Sequence, residues 1–315
     1  MLRRELLQAS VSTLAVGAAS TVLAERSLKA QPAASQPSSL RYCLNMSTIE
    51  GGKVELPRQI QIAAQAGYDG VELWLRDIQR YVSAGGKLSD IRKQLADAGL
   101  GVDSAIAFGK WLVDDEQARR QGLEECARDM DVIRELGGRR IAAPPTGMTT
   151  EPPMDLDRAA ERYRALLELG KAHDCIPQIE VWGFSKNCYS LKQVLYICAG
   201  AAHADACILP DVYHLYKGGS DFAELPMLEG KRVHVFHMND YPATPVRGEI
   251  KDEHRVYPGD GIAPLDFILK TMVGNGFVGS LSLELFNRDY WKQDPQVVAQ
   301  TGLAKMKAAV AKAIA

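Results

Sequence analysis

Eight short apolar runs alternate with amphipathic stretches of roughly 10–20 residues, and this predicts an α/β fold, a (β/α)8 TIM barrel in a single domain. The alternation runs from Leu40 to the C-terminus, about 275 residues, the size of one such barrel. Many amphipathic stretches finish in a glycine turn before the next apolar run: Ala66-Gly67-Tyr68-Asp69-Gly70, Ala98-Gly99-Leu100-Gly101, Leu136-Gly137-Gly138 and Asn275-Gly276-Phe277-Val278-Gly279. Glycine suits the left-handed position that ends a helix. A doubly wound sheet is the alternative arrangement, but no GxGxxG follows the first run, which weakens a nucleotide-binding version of it.

In order, strands are expected at 41–45, 70–73, 102–106, 140–143, 177–181, 206–211, 232–237 and 280–285. Helices are expected at 56–66, 88–98, 116–136, 155–172, 190–202, 265–273 and 295–315. The first of these places Leu56, Ile60, Ala63 and Ala64 on one helical face. Residues 220–230 carry the weakest helical pattern of the connections.

The N-terminus reads as an address. Arg3-Arg4 precedes Glu5-Leu6-Leu7 and an Ala/Ser/Thr-rich run to Leu23-Ala24, so residues 1–30 resemble a twin-arginine export signal. Residues 31–39, rich in Ser and Pro, form a linker, and 40–315 form the barrel. A periplasmic or otherwise exported location is expected. After the first 24 residues no apolar run is long enough to cross a bilayer. A net charge of −2 predicts no strong attraction to nucleic acid or anionic membrane. The six cysteines have no CxxC pairing and read as buried free thiols. A homo-oligomer stays open.

Four of the last expected strands end in a group able to hold a metal: Glu180, Asp211, His237 and Glu284. Three carboxylates and an imidazole make an oxygen/nitrogen set for one hard divalent ion. Strand C-termini converge on one face of a barrel, so four consecutive strands should bring these tips along one arc of its mouth. His214 follows Asp211 by three residues, and Lys217-Gly218-Gly219 comes next.

The chain resembles the xylose isomerase-like TIM-barrel superfamily of sugar phosphate isomerases and epimerases. The resemblance rests on Tyr68-Asp69-Gly70-Val71-Glu72-Leu73, Ile179-Glu180, Asp211-Val212-Tyr213-His214, His234-Val235-Phe236-His237-Met238-Asn239-Asp240, Pro258-Gly259-Asp260-Gly261 and Gly279-Ser280-Leu281-Ser282-Leu283-Glu284-Leu285. It implies that Glu180, Asp211, His237 and Glu284 hold one divalent metal ion. The ligand types do not choose among Mn2+, Mg2+, Co2+ and Zn2+. It also implies that His214 and Arg255 lie at the substrate. Glu72 is a substrate-binding residue or a support for another side chain. Trp182 and Trp74 suit stacking on a sugar ring or packing in the wall, and Lys217 suits an anionic or hydroxyl-rich substrate.

The implied chemistry is proton transfer next to a metal-bound hydroxy-ketone, with Glu180 and Glu284 as base and acid. Return of the proton to the opposite face of the same carbon gives epimerisation, return to the neighbouring carbon gives isomerisation, and loss of a hydroxyl gives dehydration of a keto-cyclitol or keto-sugar. The partner is a small carbohydrate, unphosphorylated if the protein is exported. A non-catalytic periplasmic sugar-binding protein is a rival. So is an AP endonuclease-like hydrolase, whose additional histidines are missing at Asp103-Ser104-Ala105-Ile106-Ala107 and Ala142-Ala143-Pro144-Pro145, although Asp252-Glu253-His254 imitates its ligand pair.

Overall fold

The computed structural model describes residues 40–50, except for the side chain of Glu50, and 54–315. The expected export signal and linker lie outside the described residues. The first strand, β1, is Arg41–Asn45, and the short α1, Ser47–Glu50, follows it. Then come α2 (Leu56–Ala66), β2 (Gly70–Trp74), α3 (Leu75–Ser83), α4 (Leu88–Asp97), β3 (Gly101–Ile106), α5 (Glu116–Glu135), β4 (Arg140–Ala143), α6 (Leu156–Ala172) and β5 (Ile176–Glu180). The remainder is α7 (Leu191–Ala201), β6 (Ile208–Leu209), α8 (Val212–Lys217), β7 (Val235–Met238), α9 (Leu265–Gly274), β8 (Ser280–Leu283) and α10 (Pro295–Ile314).

All strand pairs are parallel, in the orders β3-β2-β1-β8-β7 and β4-β5-β6. A backbone bridge between Asp211 and His237 joins β6 to β7, and β3 packs beside β4, which closes the ring as a (β/α)8 barrel. The chain closes on itself through α10, which packs on α2 and α9. The Tyr68 hydroxyl of the α2–β2 turn donates to the Ala299 carbonyl of α10 at 3.0 Å. Inside the barrel, β2 is buried along its whole length, and the Gln178 amide of β5 donates to the Ser104 hydroxyl of β3 at 3.1 Å.

The expected helix faces are largely those that pack inward: Leu56, Ile60 and Ala63 of α2 are buried, with Ala64 at the margin. The last strands differ from expectation. The run at 206–211 keeps only two strand residues, because Pro210 has no N–H for a ladder. Asp211 instead caps α8, its carboxylate accepting the His214 N–H at 2.7 Å. The weak pattern at 220–230 becomes two 3-10 segments, Phe222–Met227 with Pro226 inside it, and Gly230–Arg232, so β7 begins later than expected. Helix α3 follows β2 without a loop and is not among the helices expected from the sequence.

All six cysteines are free, five of them buried. Burial pushes the thiols of Cys126, Cys175, Cys188 and Cys207 up to about 12, which makes them inert. The loop after β5 is pressed against the end of α8 at two glycines. A Cβ on Gly183 would collide with the His214 carbonyl oxygen, and one on Gly218 with that of Tyr189. Gly218→Ala should therefore cost about 1–3 kcal/mol in urea unfolding, whereas Gly274→Ala, with open space around it, should be neutral or slightly stabilising. Equal effects of the two would show that close approach is not what selects glycine at 218.

Candidate active site

The sharpest geometry in the molecule surrounds His237, at the C-terminal end of β7 and fully buried. Its Nε2 faces Glu72 Oε2 at 2.9 Å. The same oxygen accepts the Ser282 hydroxyl at 2.7 Å and the Asn45 amide at 2.9 Å. Burial alone would raise the Glu72 carboxyl, but His237 and these donors hold it below its usual value, so it is ionised and orients the imidazole. The register of β2 against β3 shifts beside Glu72.

The other ring nitrogen, Nδ1, has no hydrogen-bond partner among the described residues. It faces Glu284 Oε2 at 3.1 Å, Asp211 Oδ2 at 3.5 Å and Glu180 Oε1 at 3.9 Å. The structure thus brings together all four strand-tip groups singled out in the sequence. Asp211, His237 and Glu284 each offer one donor atom within 4.8 Å of the others, while Glu180 falls outside that set and faces the imidazole from 3.9 Å. Burial lowers the imidazole, yet Glu284 and Glu72 hold it well above its usual value: the surroundings call for positive charge at this point.

Arg255 supplies part of that charge. Its side chain is 1% exposed, and Nη1 donates to Asp211 Oδ2 at 2.9 Å and Glu284 Oε2 at 2.7 Å. Nη2 contacts Asp252 Oδ1 at 2.5 Å and His214 Nε2 at 3.0 Å. The guanidinium also lies 4.5 Å from the Tyr213 ring centre and 5.0 Å from that of Phe286. Burial opposes ionisation of Asp211, but Arg255 holds the carboxyl well below the usual range. Glu180 goes the other way. Burial pushes it up to about 8, with His237 opposing and the Glu284 and Asp211 carboxylates adding. Burial lowers His214, so it stays neutral and accepts from Arg255 through Nε2; its Nδ1 has no partner among the described residues.

The loop that delivers Arg255 is wrapped around Asp240. That carboxylate accepts the N–H groups of Tyr241, Gly259, Gly261 and Ala263 at 2.7–3.1 Å, and the backbone of Asp240 pairs with Val256. This accounts for Pro258-Gly259-Asp260-Gly261, since a Cβ on Gly261 would strike Asp240.

A cavity of about 410 Å3 opens above these groups. Glu180, Glu284, His214, Asp252 and Arg255 contribute to its lining, as do Trp74 and Trp182. Two expected substrate-binding residues do not reach it. Glu72 is fully buried behind His237, so its part is to hold that ring. Lys217 turns outward, its ammonium held by the carbonyls of Arg247 and Gly248 at 3.1 and 2.9 Å. Two residues not expected at the site also belong to it: Asn45, which ties Glu72 to Glu284 with 2.9 and 3.1 Å bonds, and Asn239, which donates to Asp211 at 3.0 Å. Both are polar residues at the ends of apolar runs, the signal already used for the four tips. His173, paired with Asp131, and His203, near Glu168 and Asp205, stand outside the site.

The chain matches the family model for the xylose isomerase-like TIM barrel over residues 60–309 and belongs to that family. An inosose isomerase of Halalkalibacterium halodurans is 30% identical over 271 residues, 83% of this chain and 93% of that protein. A 3-dehydroshikimate dehydratase of Pseudomonas aeruginosa is 28% identical over 262 residues, 80% of this chain but only 39% of that protein. The crystal structure of an IOLI protein "with a binding zinc atom" superposes with a TM-score of 0.81 at 21% identity, covering 88% of this chain and all of that one, which shows the shared fold.

Removing Arg255 would leave Asp211 and Glu284 buried with one cation fewer. Arg255→Met should lose about 3–5 kcal/mol in urea unfolding in the presence of EDTA, and Arg255→Lys should recover only part, because an ammonium lacks the planar fork. An unchanged unfolding midpoint would show that the carboxylates do not depend on the guanidinium.

Proposed function

We propose that the chain is a metal-dependent isomerase or epimerase of a small sugar or keto-sugar, with the ion held by Glu180, Asp211, His237 and Glu284. The observation that carries this reading is the Glu72–His237 pair. A buried carboxylate takes the Nε2 side of the ring and leaves an unpartnered Nδ1 facing three carboxylates, which is how a protein prepares a histidine to ligate a cation. The family membership and the zinc described for the IOLI protein support it. A divalent ion in this set would supply Lewis-acid polarisation of a carbonyl beside it. Oxygen donors and one imidazole suit Mn2+, Mg2+, Co2+ or Zn2+.

The remaining work falls to the protein's own side chains. Glu180 and Glu284 come from β5 and β8, which are not neighbours in the barrel, so they can act on a substrate from different sides. One removes the proton from the carbon next to the carbonyl, and the other returns a proton. Glu180, at the end of β5 and on the lining of the cavity, is placed to serve in either direction. His214 can offer its Nδ1–H to a substrate hydroxyl, and Arg255 keeps Asp211 and Glu284 ionised and in place. Dehydration is the second reading, favoured by the 3-dehydroshikimate dehydratase relative. It begins with the same proton removal and ends with a protonated carboxyl assisting departure of the hydroxyl.

Elemental analysis should find about one divalent ion per chain in the native protein and little in Glu284→Gln. Glu72→Gln should weaken metal binding by about 10–100-fold, through loss of the ring's orientation. No metal after incubation with Mn2+, Co2+ or Zn2+ would refute the quartet. With an inosose as the first substrate to test, turnover in D2O should place deuterium on the carbon next to the carbonyl in the native protein and not in Glu284→Gln. Conversion without any exchange, even in a single turnover, would count against the two-carboxylate transfer.

A further inference from the structure

The polar groups of the cavity are gathered at one end, and its walls are aromatic. Five side-chain rings form an unbroken series around the mouth. Phe286, after β8, lies 6.0 Å from Trp74 at the end of β2, and Trp74 lies 5.6 Å from Phe108, after β3. Phe108 is 6.2 Å from Trp182, after β5, and Trp182 stacks on Phe184 at 5.1 Å. Phe184 ends the series 5.6 Å from His214, and Trp291 adds a sixth aromatic side chain to the lining. These residues come from four different loops or strand ends and meet only here, so the collar is a feature of the site and not of any one segment.

Two facts make the collar more than wall packing. Phe184 is 47% exposed, although it stands at the rim of the one cavity that holds the buried charged cluster. Exposed large apolar side chains occur elsewhere on the surface, but Phe184 is stacked on Trp182 and continuous with the other rings of the cavity wall, and a contiguous apolar patch at a cavity is surface that a ligand covers. Second, the cations of the lining are largely committed. Arg255 is bound to Asp211, Glu284 and Asp252, and the other two cations of the lining, Lys251 and Arg288, are exposed, with Arg288 in a surface pair with Glu253 at 2.7 Å, so among the described residues no buried cation is left for a phosphate. A lone monosaccharide presents at most two flat C–H faces, enough for two rings. Trp74 is buried with Arg76 over its ring, and the four remaining rings, Phe108, Trp182, Phe184 and Phe286, offer apolar surface for a second flat group.

We propose that the cavity takes a glycoside with an aromatic aglycone, the keto-sugar ring on the polar floor of Glu180, His214 and Glu284 and the aglycone against Trp182 and Phe184. This rests on the carbohydrate reading above and goes beyond it by assigning the aromatic walls to the part of the substrate that does not react. Binding energy from that part holds the sugar over the carboxylates.

The test is calorimetric titration of the full chain, supplied with Mn2+, with a matched pair of unreactive probes, methyl and 4-nitrophenyl β-glucopyranoside. The aryl glycoside should bind about tenfold more tightly or better, and Phe184→Ala should cut that advantage to about threefold or less while leaving the methyl glycoside unaffected. Trp182→Leu should act in the same sense. Equal affinity for the two probes, binding of neither, or an equal loss of both in Phe184→Ala overturns the proposal. Deuterium exchange on a small keto-sugar by the same preparation keeps the two readings apart. Exchange without aryl preference removes the aromatic aglycone and leaves the reaction; aryl preference without exchange does the reverse.

Discussion

Among the described residues, four carboxylates, Glu72, Glu180, Asp211 and Glu284, are buried within reach of one imidazole, and the positive charge among them comes from Arg255 and from His237, which the carboxylates draw towards protonation. In a low-dielectric interior that concentration of negative charge is costly unless each oxygen is paired or counter-charged. Much of the mouth of the barrel can be understood as meeting that requirement. Asn45 and Ser282 donate to Glu72, Asn239 and the His214 N–H donate to Asp211, and Arg255 bridges Asp211 and Glu284. Glu180 escapes by rising towards protonation at neutral pH. The groups least compatible with a stable core are thus the ones with chemistry to offer, as expected where function opposes stability.

The loops serve this cluster in distinct ways. Asp240 collects four N–H groups and fixes the loop that ends in Arg255, so an anion outside the site sets the position of the cation inside it. Gly183 and Gly218 let the loop after β5 close against α8, which joins the backbone carrying Glu180 and Trp182 to that carrying Asp211 and His214. The aromatic collar then walls the cavity from the β8, β2, β3 and β5 sides. Charge gathers on the floor and apolar surface at the rim, a division suited to a reactive ring below and a passive group above.

Legibility in the sequence varied with how local the cause was. Strand and helix positions followed from periodicity, and β1 and β4 keep the expected bounds. Strand β6 did not, because a proline and an N-cap act inside one apolar run, and α3 did not, because it follows β2 directly with no glycine or proline turn to mark its start. Glu180, Asp211, His237 and Glu284 were visible because a charged residue ending an apolar run is conspicuous, and strand order converts four such endings into neighbours. Lys217 was expected to suit an anionic or hydroxyl-rich substrate, yet its position on α8 turns it to the carbonyls of Arg247 and Gly248.

The sequence by itself determined the barrel, its approximate elements and the residue types gathered at its C-terminal mouth, since periodicity and turn glycines act over a few residues at a time. Only the tertiary structure decided which of these side chains touch. It put Glu72 behind His237, made Arg255 a bridge between two carboxylates, and drew five aromatic rings from four parts of the chain into one collar. Those outcomes depend on barrel closure and loop direction, which bring together residues as far apart as Asn45 and Glu284, and no local pattern in the chain encodes such a pairing.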